Sequence, residues 1–346
     1  MKTKYQNILD NINEDVPTQR RDKFQKVLLI DGLNLFYRNF CVINSINSNN
    51  EHIGGSGGFL RSLALLIRNN RPTKVFVVFD GGGHTNNRKN ILSEYKSNRV
   101  QRKILNKNIH SSFDEDENSQ IKQLGKINEY LKLLPVHTVM VDGFEADDII
   151  AIMARTLDLQ YNTQSLIVSS DQDFLQLINR NITVYRPMEK KYYRPEDVIN
   201  KFDCTPQNFI LYKILMGDTS DNIKKIKGLG AKKFKTLFPQ LKEKDTVTFD
   251  DLIDYAGDNI DEHEIFARIV VNEDDLKKSY LVMDLEELLV NDKEVSYIKT
   301  LIESKTPTLN RVSFKKQYDK DLIEKLIPNL DKWLEESFGY FYNINK

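Results

Sequence analysis

The sequence is poor in cysteine, carries no net charge and has no long hydrophobic segment. Its two cysteines, Cys41 and Cys204, are far apart and belong to no metal-binding motif. This predicts free thiols in a reducing cytoplasm. No apolar run approaches the roughly 20 residues that a membrane-spanning helix needs. The polar residues 1–21 contain no apolar signal segment, so we expect no membrane partner.

The charges are balanced overall but unevenly distributed. Residues 84–107 contain seven lysines and arginines against one acidic residue, Glu94. Residues 224–235 contain six lysines and no acidic residue. Zero net charge argues against a nucleic-acid partner, but contact with phosphates depends on local basic patches rather than on the whole chain. Both basic segments are therefore candidates for binding a nucleic-acid backbone.

Five short apolar runs alternate with segments of helical periodicity. Each run is rich in valine, isoleucine or phenylalanine and is continuous, which is typical of buried parallel strands. The runs are Val27–Ile30, Val75–Phe79, Thr138–Val141, Leu166–Val168 and Ile182–Tyr185. They predict an α/β fold in which a parallel sheet is flanked by helices on both faces.

The chain is predicted to have four parts. Residues 1–26 are a polar N-terminal extension, and residues 27–205 form the α/β core. Within the core, residues 84–118 are a basic insertion that becomes acidic at Asp114–Glu117, and connections of this length are usually functional or disordered. Residues 206–245 are a predicted duplex-binding region, and residues 246–346 are a helical C-terminal region.

Carboxylates follow four consecutive predicted strands, and two more occur in the segment LMGDTSDNI. Because the carboxyl ends of parallel strands meet at the edge of the sheet where ligands bind, we expect these side chains to lie close together. Their charges would repel unless cations compensate, and all-oxygen ligand sets suit Mg²⁺ or Mn²⁺ rather than zinc. The nine candidate metal ligands are Asp31, Asp80, Glu145, Asp147, Asp148, Asp171, Asp173, Asp218 and Asp221.

Each acid also has a purely structural alternative. Asp31 could cap a turn, and Asp171 could be a helix N-cap. Asp147 and Asp148 could lie in a first helical turn, where the helix dipole favours negative charge. Capping does not require an acid at every strand end, so the combination favours the metal interpretation.

The segment IKGLGAKKF predicts a helix-hairpin-helix at Ile226–Phe234. Gly228 and Gly230 would let the backbone approach a ligand closely, and the N-terminus of the second helix would present N–H groups to a phosphate. Such an element would hold a duplex backbone without reading bases. The lysines expected to attract phosphates are Lys227, Lys232 and Lys233. The alternative is an ordinary helical hairpin with a solvated lysine face.

Four residues of the basic insertion have near-helical spacing: Tyr95, Lys96, Arg99 and Arg102. A helix there would place the cations on one side and leave the tyrosine ring available to stack on a base. Arg88 in the same insertion is a further candidate for contacting nucleic acid. The alternative is a solvated surface helix.

Together these motifs resemble the structure-specific 5′-nuclease (flap endonuclease) family from about Val27 to Leu237. The shared motifs are the DG after the first strand, FDG, Glu-Tyr-Lys-x-x-Arg, FEADDIIA, SSDQDFLQL, GDTSDNI and IKGLGAKKF. The segments PMEKKYY and YLVMDLEEL make the chain similar to the T-even-phage ribonuclease H branch of that family, and thus to bacteriophage enzymes.

The resemblance implies a PIN-like core with a basic helical arch at residues 84–118 and two Mg²⁺ ions, for which Mn²⁺ could substitute. Lys96 and Arg99 match the catalytic residues of the arch that contact the scissile phosphate, and Tyr37 would stack on the terminal base. The first metal site would comprise Asp31, Asp80, Glu145 and Asp147, with Asp148 in support. The second would comprise Asp171, Asp173, Asp218 and Asp221.

The implied function is that of a Mg²⁺-dependent 5′-3′ exonuclease and flap endonuclease with ribonuclease H activity. Such an enzyme leaves a 5′-phosphate and a 3′-hydroxyl and removes RNA primers and 5′ flaps during DNA replication. Its substrates would be DNA and RNA–DNA hybrids with a 5′ single-stranded end or flap. We expect a monomer. The aromatic C-terminus, Phe338–Tyr342, could dock a sliding clamp or a single-strand-binding protein, or it could pack on the core.

Three other functions fit parts of the pattern. A PIN-type single-strand ribonuclease shares the acids but needs no hairpin that grips duplex. A magnesium phosphohydrolase would use Asp31 as a nucleophile, but it requires a second aspartate two residues later, where Leu33 stands. A non-catalytic DNA-junction-binding module would be expected to have lost acids that are all present here.

Overall fold

A computed structural model of the protein describes residues 25–82, 86–97, 103–285 and 292–344. Its strands are β1 (Lys26–Asp31), β2 (Lys74–Val78), β3 (His137–Val139), β4 (Gln164–Val168), β5 (Ile182–Arg186) and β6 (Lys191–Tyr193). They form one sheet in the order β3-β2-β1-β4-β5-β6. The first five strands pair in parallel, which confirms the predicted fold class, and β6 pairs antiparallel with β5.

Helices connect the strands and make up most of the chain after β6. The helices of the first half are α1 (Gly32–Val42), α2 (Gly54–Asn70), α3 (Asn86–Ile91), α4 (Phe113–Leu131) and α5 (Ala146–Tyr161). Those that follow β6 are α6 (Pro195–Phe202), α7 (Phe209–Met216), α8 (Ala231–Leu237), α9 (Gln240–Glu243), α10 (Phe249–Asp258), α11 (Glu264–Val271), α12 (Glu273–Met283), α13 (Asp292–Glu303), α14 (Arg311–Asp321), α15 (Leu330–Phe338) and α16 (Phe341–Ile344). In the described part of the chain, no helix combines the length and apolarity needed to cross a membrane.

The sheet is buried on both faces because successive residues of a strand point into two different cores. Val27 and Leu29 of β1 belong to the core that includes α5. Leu28 and Ile30 belong to the core that includes α1, α2 and α4. None of these four side chains is exposed. Burial on both sides explains why the strand is a continuous apolar run rather than an alternating one.

The order of the strands changes direction beside β1. β2 and β3 extend the sheet on one side of β1, and β4, β5 and β6 extend it on the other. In open parallel sheets, the loops that leave two such neighbouring strands separate and open a crevice at the carboxyl ends. Asp31 is the last residue of β1, so the fold places it at that crevice.

The C-terminal helices cover both faces of the sheet. α10, α11 and α12 extend the core that includes α5, whereas α14 and α15 pack on the opposite face. Phe338 and Phe341 are buried, and Tyr342 is exposed. Two of the aromatic side chains considered for docking a clamp are therefore packed on the core, as the alternative interpretation had it.

The predicted insertion ends earlier than residue 118. Ser112 and Glu115 form a capping box at the N-terminus of α4, and Asp114 and Asp116 lie in its first turn. A capping box and acidic residues near the positive end of the helix dipole both stabilise a helix start. The acidic segment assigned to the insertion therefore begins a helix of 19 residues.

The predicted helix through Tyr95 and Lys96 was wrong. α3 ends at Ile91, and both residues lie in a turn that follows it. Lys96 has a left-handed backbone with φ of +54°, which interrupts any helical face at that point. Arg99 and Arg102 lie outside the described residues.

The predicted helix directly before the glycine hairpin was also wrong. α7 ends at Met216, where Gly217 has a φ of +75°, and residues 217–230 form a loop that leads to α8. A Cβ at Gly217 would lie 2.6 Å from the backbone nitrogen of Lys225, so glycine is required for this close approach. Gly228, with φ of +83°, makes the tight turn before α8 as expected.

Candidate active site

The carboxylates that follow the strands meet at one edge of the sheet. Asp80, after β2, accepts a hydrogen bond from the backbone N–H of Ala146 at 2.8 Å, which joins β2 to the start of α5. The hydroxyl of Ser169 donates to Asp31 Oδ2 at 2.9 Å and accepts from the N–H of Asp171 at 3.1 Å. These contacts tie together the ends of β1, β2 and β4.

Asp31 is a helix cap as well as a member of this cluster. Its Oδ1 accepts a hydrogen bond from the N–H of Asn34 at 3.0 Å at the start of α1. Burial raises the pKa of Asp31 to about 7, although the hydrogen bond from Asn34 lowers it. The negative charges of Asp171 and Asp80 also raise it. A buried carboxylate of this kind favours an approaching cation.

The first acidic group, formed by Glu145, Asp147 and Asp148 at the N-terminus of α5, surrounds the guanidinium of Arg88. Arg88 contacts Glu145, and its nitrogens lie 3.2 Å from Asp147 Oδ1 and 2.6 Å from Asp148 Oδ1. Arg88 is only 8% exposed. The predicted contact with nucleic acid is therefore not available to it in this arrangement, because it pairs with carboxylates of the protein instead.

The members of the first acidic group differ in pKa. Burial raises the pKa of Asp148 to about 7; Arg88 opposes this effect, while Asp147 and Glu145 add to it. Burial would also raise the pKa of Asp147, but Arg88 and Lys96 outweigh it and lower the pKa. One carboxylate therefore stays ionised beside another that is close to taking up a proton.

The second acidic group, formed by Asp171, Asp173, Asp218 and Asp221, includes a buried lysine that was not among the candidates. Lys213 Nζ lies 2.6 Å from Asp173 Oδ1 and also contacts Asp218. Burial and the charges of Asp171 and Asp221 raise the pKa of Asp173 to about 7, although Lys213 opposes them. This group thus also includes an internal cation.

A sequence signal for Lys213 existed. It is the only charged residue in α7, whose sequence is FILYKILM. A lysine in an otherwise apolar buried helix is rarely without an acidic partner. The helix faces the second acidic group, and Lys213 is 5% exposed.

Tyr95 does not lie where the sequence analysis predicted. Its side chain is 2% exposed and belongs to the core beneath the first acidic group. Lys96 Nζ lies 4.8 Å from the centre of the Tyr95 ring and 2.6 Å from Glu145 Oε2. An aromatic ring buried under a lysine cannot stack on a base, so the predicted stacking role is wrong for this arrangement.

Tyr37 and the hairpin lysines are accessible. Tyr37 is 37% exposed on α1, and burial, together with the nearby Asp80, raises its pKa. Lys227, Lys232 and Lys233 are all exposed, whereas Leu229 and Phe234 anchor the hairpin and α8 in the core.

The donor set fits hard divalent cations, but the ligands are not gathered around a common point. Within the described ranges, no three histidine, cysteine, aspartate or glutamate side chains are arranged to hold a metal ion. Five of the carboxylates form ion pairs with Arg88, Lys96 or Lys213: Glu145, Asp147, Asp148, Asp173 and Asp218. All the donors are oxygens, the ligands that Mg²⁺ prefers.

Comparisons with known proteins agree on one family. The family described as the 5′-3′ exonuclease N-terminal resolvase-like domain matches residues 26–203. A 5′-3′ exonuclease of Buchnera aphidicola subsp. Schizaphis graminum is 34% identical over 212 residues, which are 61% of this chain and 68% of that protein. A 5′-3′ exonuclease of Aquifex aeolicus is 30% identical over 308 residues, which are 88% of this chain and 94% of that protein.

A solved structure shares the fold. The flap endonuclease of bacteriophage T5, in a pseudo-enzyme–product complex with DNA and metal ions, aligns with a TM-score of 0.60. The alignment covers 90% of this chain and 99% of that chain at 20% identity.

Proposed function

Since this chain belongs to the 5′-3′ exonuclease family and acts as a nuclease that hydrolyses phosphodiester bonds, we propose that it is a Mg²⁺-dependent flap endonuclease as well. Its substrates are DNA and RNA–DNA hybrids with a 5′ single-stranded end or flap. Ribonuclease H activity and the removal of RNA primers and flaps during DNA replication belong to the same proposal.

The observation that carries the proposal is that hydrogen bonds tie candidate ligands at the ends of β1, β2 and β4 together at the switch point of the sheet. Asp31, Asp80, Glu145 and Asp147 would hold the first Mg²⁺, with Asp148 in support. Asp171, Asp173, Asp218 and Asp221 would hold the second. Bound Mg²⁺ supplies a water of lowered pKa and stabilises charge at the leaving oxygen.

The cations of the protein have a second role in this proposal. Arg88 pairs with all three members of the first acidic group, so divalent cations and Arg88 compete for the same carboxylates. Once released, Arg88 would join Lys96 and Arg99 in contacting the scissile phosphate, because a guanidinium binds phosphate oxygens well. The insertion would thereby place positive charge against the scissile phosphate, on the side of the substrate that faces away from the sheet.

The duplex part of the substrate would lie along the exposed lysines beyond the second acidic group. Lys227, Lys232 and Lys233 project from a hairpin that Leu229 and Phe234 fix to the core. Backbone contacts of this kind carry no sequence preference. Gly228 and Gly230 are exposed beside these lysines and have no side chain that would keep a phosphate away.

The test is cleavage of a 5′-labelled flap and of an RNA–DNA duplex, with Mg²⁺ and with EDTA. Asp147→Asn should lower the rate by at least about a hundredfold while substrate binding in EDTA changes little, because this substitution removes a metal ligand. Asp250→Asn is the matched control, since Asp250 also lies in the first turn of a helix, α10, but is exposed and is not a candidate metal ligand. Equal cleavage by the two variants would refute the metal assignment.

A further inference from the structure

Two segments that are far apart in the sequence are joined by hydrogen bonds beside the site. The carboxylate loop, residues 218–223, is closed by paired hydrogen bonds between Asp218 and Ile223 of 3.0 and 2.7 Å. The insertion base, residues 94–97, is the turn that contains Lys96. The loop contributes Asp218 and Asp221 to the second acidic group, and the insertion base reaches the first acidic group through Lys96 and Glu145.

The side chain of Asn222 makes two hydrogen bonds between these two segments. Its Nδ2 donates to the backbone carbonyl of Glu94 at 3.0 Å and to the hydroxyl of Ser97 at 3.1 Å. Next to it, the backbone N–H of Lys96 donates to the carbonyl of Asp221 at 3.2 Å. A single side chain therefore uses both hydrogens of its amide to hold the insertion base against the carboxylate loop.

The backbone at this junction favours asparagine. Asn222 has a φ of +62° and Lys96 a φ of +54°. Asparagine is among the few residues other than glycine that adopt this left-handed conformation readily. Glycine could also adopt it, but glycine has no amide to reach Glu94 and Ser97.

We propose that Asn222 is a positioning residue that fastens the insertion base to the carboxylate loop. In this way it sets the distance between Lys96, which faces the first acidic group, and the acids of the second group. The inference rests on the proposed function, because it assigns Asn222 to the same site. The amide nitrogen of Asn222 donates to the insertion base, at Glu94 and Ser97, and not to a candidate metal ligand.

Two substitutions separate the amide from the backbone conformation. Asn222→Gly retains the left-handed φ and removes the amide. Asn222→Asp retains the shape of the side chain and replaces the donating nitrogen with an oxygen that cannot donate when ionised. The matched control is Asn162→Gly, because Asn162 is also left-handed, with φ of +47°, and caps α5 at the end remote from the site.

The experiment measures single-turnover cleavage of a 5′-flap DNA with Mg²⁺, and binding of the same DNA in EDTA. Both Asn222 variants should cleave about tenfold more slowly, the effect expected for one or two neutral hydrogen bonds. Their binding should stay within about threefold of the parent protein, because the hairpin lysines supply the grip on the duplex. Asn162→Gly should match the parent protein in both measurements.

Amide hydrogen exchange of the metal-free protein gives a second readout that does not depend on cleavage. In Asn222→Gly, residues 94–97 should exchange faster while residues 218–223 keep their protection. Unchanged exchange at residues 94–97 overturns the inference, as does cleavage by both Asn222 variants at the control rate. Loss of protection in residues 218–223 also overturns it, because Asn222 would then stabilise only its own loop. If the parent protein does not cleave the flap, the proposed function fails, and hydrogen exchange still decides the role of Asn222.

Discussion

Arg88 Nη2 lies 2.6 Å from Asp148 Oδ1, and this ion pair joins the helix α3 of the insertion to the N-terminus of α5. The guanidinium is buried among carboxylates that are also candidate metal ligands. Burial would lower the pKa of Arg88, but Asp147 and Asp148 hold it well above its ordinary value, so the arginine remains charged. Release of Arg88 is therefore coupled to any change in the charge of the first acidic group.

Arg88→Ala should lower the stability of the protein in EDTA and increase its gain in stability on adding Mn²⁺. Removing one partner of a buried ion pair leaves uncompensated charge, typically a loss of about 3 kcal/mol. The same change removes the competitor of the metal ion. The measurement is the thermal midpoint over a Mn²⁺ titration, with the exposed neighbour Lys89→Ala as the control. A smaller Mn²⁺ effect in Arg88→Ala than in the control would contradict the competition.

Lys213→Met should destabilise the metal-free protein by about 3 kcal/mol, because Asp173 and Asp218 lose the cation buried between them. Urea denaturation in EDTA measures this difference in the free energy of unfolding. Lys235→Met is a matched control, since Lys235 pairs with Asp203 at 3.3 Å but its side chain is 65% exposed. Exposed pairs contribute at most about 1 kcal/mol. Similar losses of unfolding free energy in both variants would show that Lys213 stabilises the protein no more than an exposed ion pair does.

Asp31→Asn should stabilise the metal-free protein at pH 8 but not at pH 4. The folded-state pKa of Asp31 is raised from 3.8 to about 7, so the unfolded chain loses this proton at lower pH than the folded chain. The destabilising effect of Asp31 is therefore absent below about pH 4 and grows until about pH 7. Asparagine is uncharged and can still cap α1.

Thermal midpoints of Asp31→Asn and the parent protein in EDTA, from pH 4 to pH 8, measure this difference, and the comparison cancels the effects of other titrating groups. Adding Mg²⁺ at pH 8 should stabilise the parent protein more than the variant. If the advantage of Asp31→Asn in thermal midpoint became smaller as the pH rises, the pKa of Asp31 would not be raised in the folded protein.

Replacing Lys232 and Lys233 with alanine should weaken binding to duplex DNA and reduce the slope of log K against log salt concentration by about 2, one unit for each lost phosphate contact. Lys315→Ala with Lys316→Ala is the control, because this adjacent exposed pair lies on α14, which packs on the opposite face of the sheet from α8. Binding is measured in EDTA at several salt concentrations. An unchanged slope would show that Lys232 and Lys233 do not contact the phosphates of the duplex.

The sequence predicted the elements whose formation depends on local pattern. Continuous runs such as Val75–Phe79 indicated strands buried on both faces, and those strands pair in parallel. The prediction was wrong where a single backbone conformation decides the outcome. The left-handed residues Lys96 and Gly217 end or prevent helices, and spacing alone does not reveal such conformations.

The sequence by itself determined that seven of the nine acids gather at one edge of the sheet, because each of these seven lies at or after the end of a strand and parallel strands end at the same edge. Only the tertiary structure decided which cation pairs with which acid. Arg88 is 57 residues from Glu145 in the chain, and Lys213 reaches Asp173 because α7 packs against that part of the core. Tyr95 likewise became a core residue through packing around it. Pairings of this kind depend on the burial that desolvates a charge, and burial exists only once distant segments have packed together.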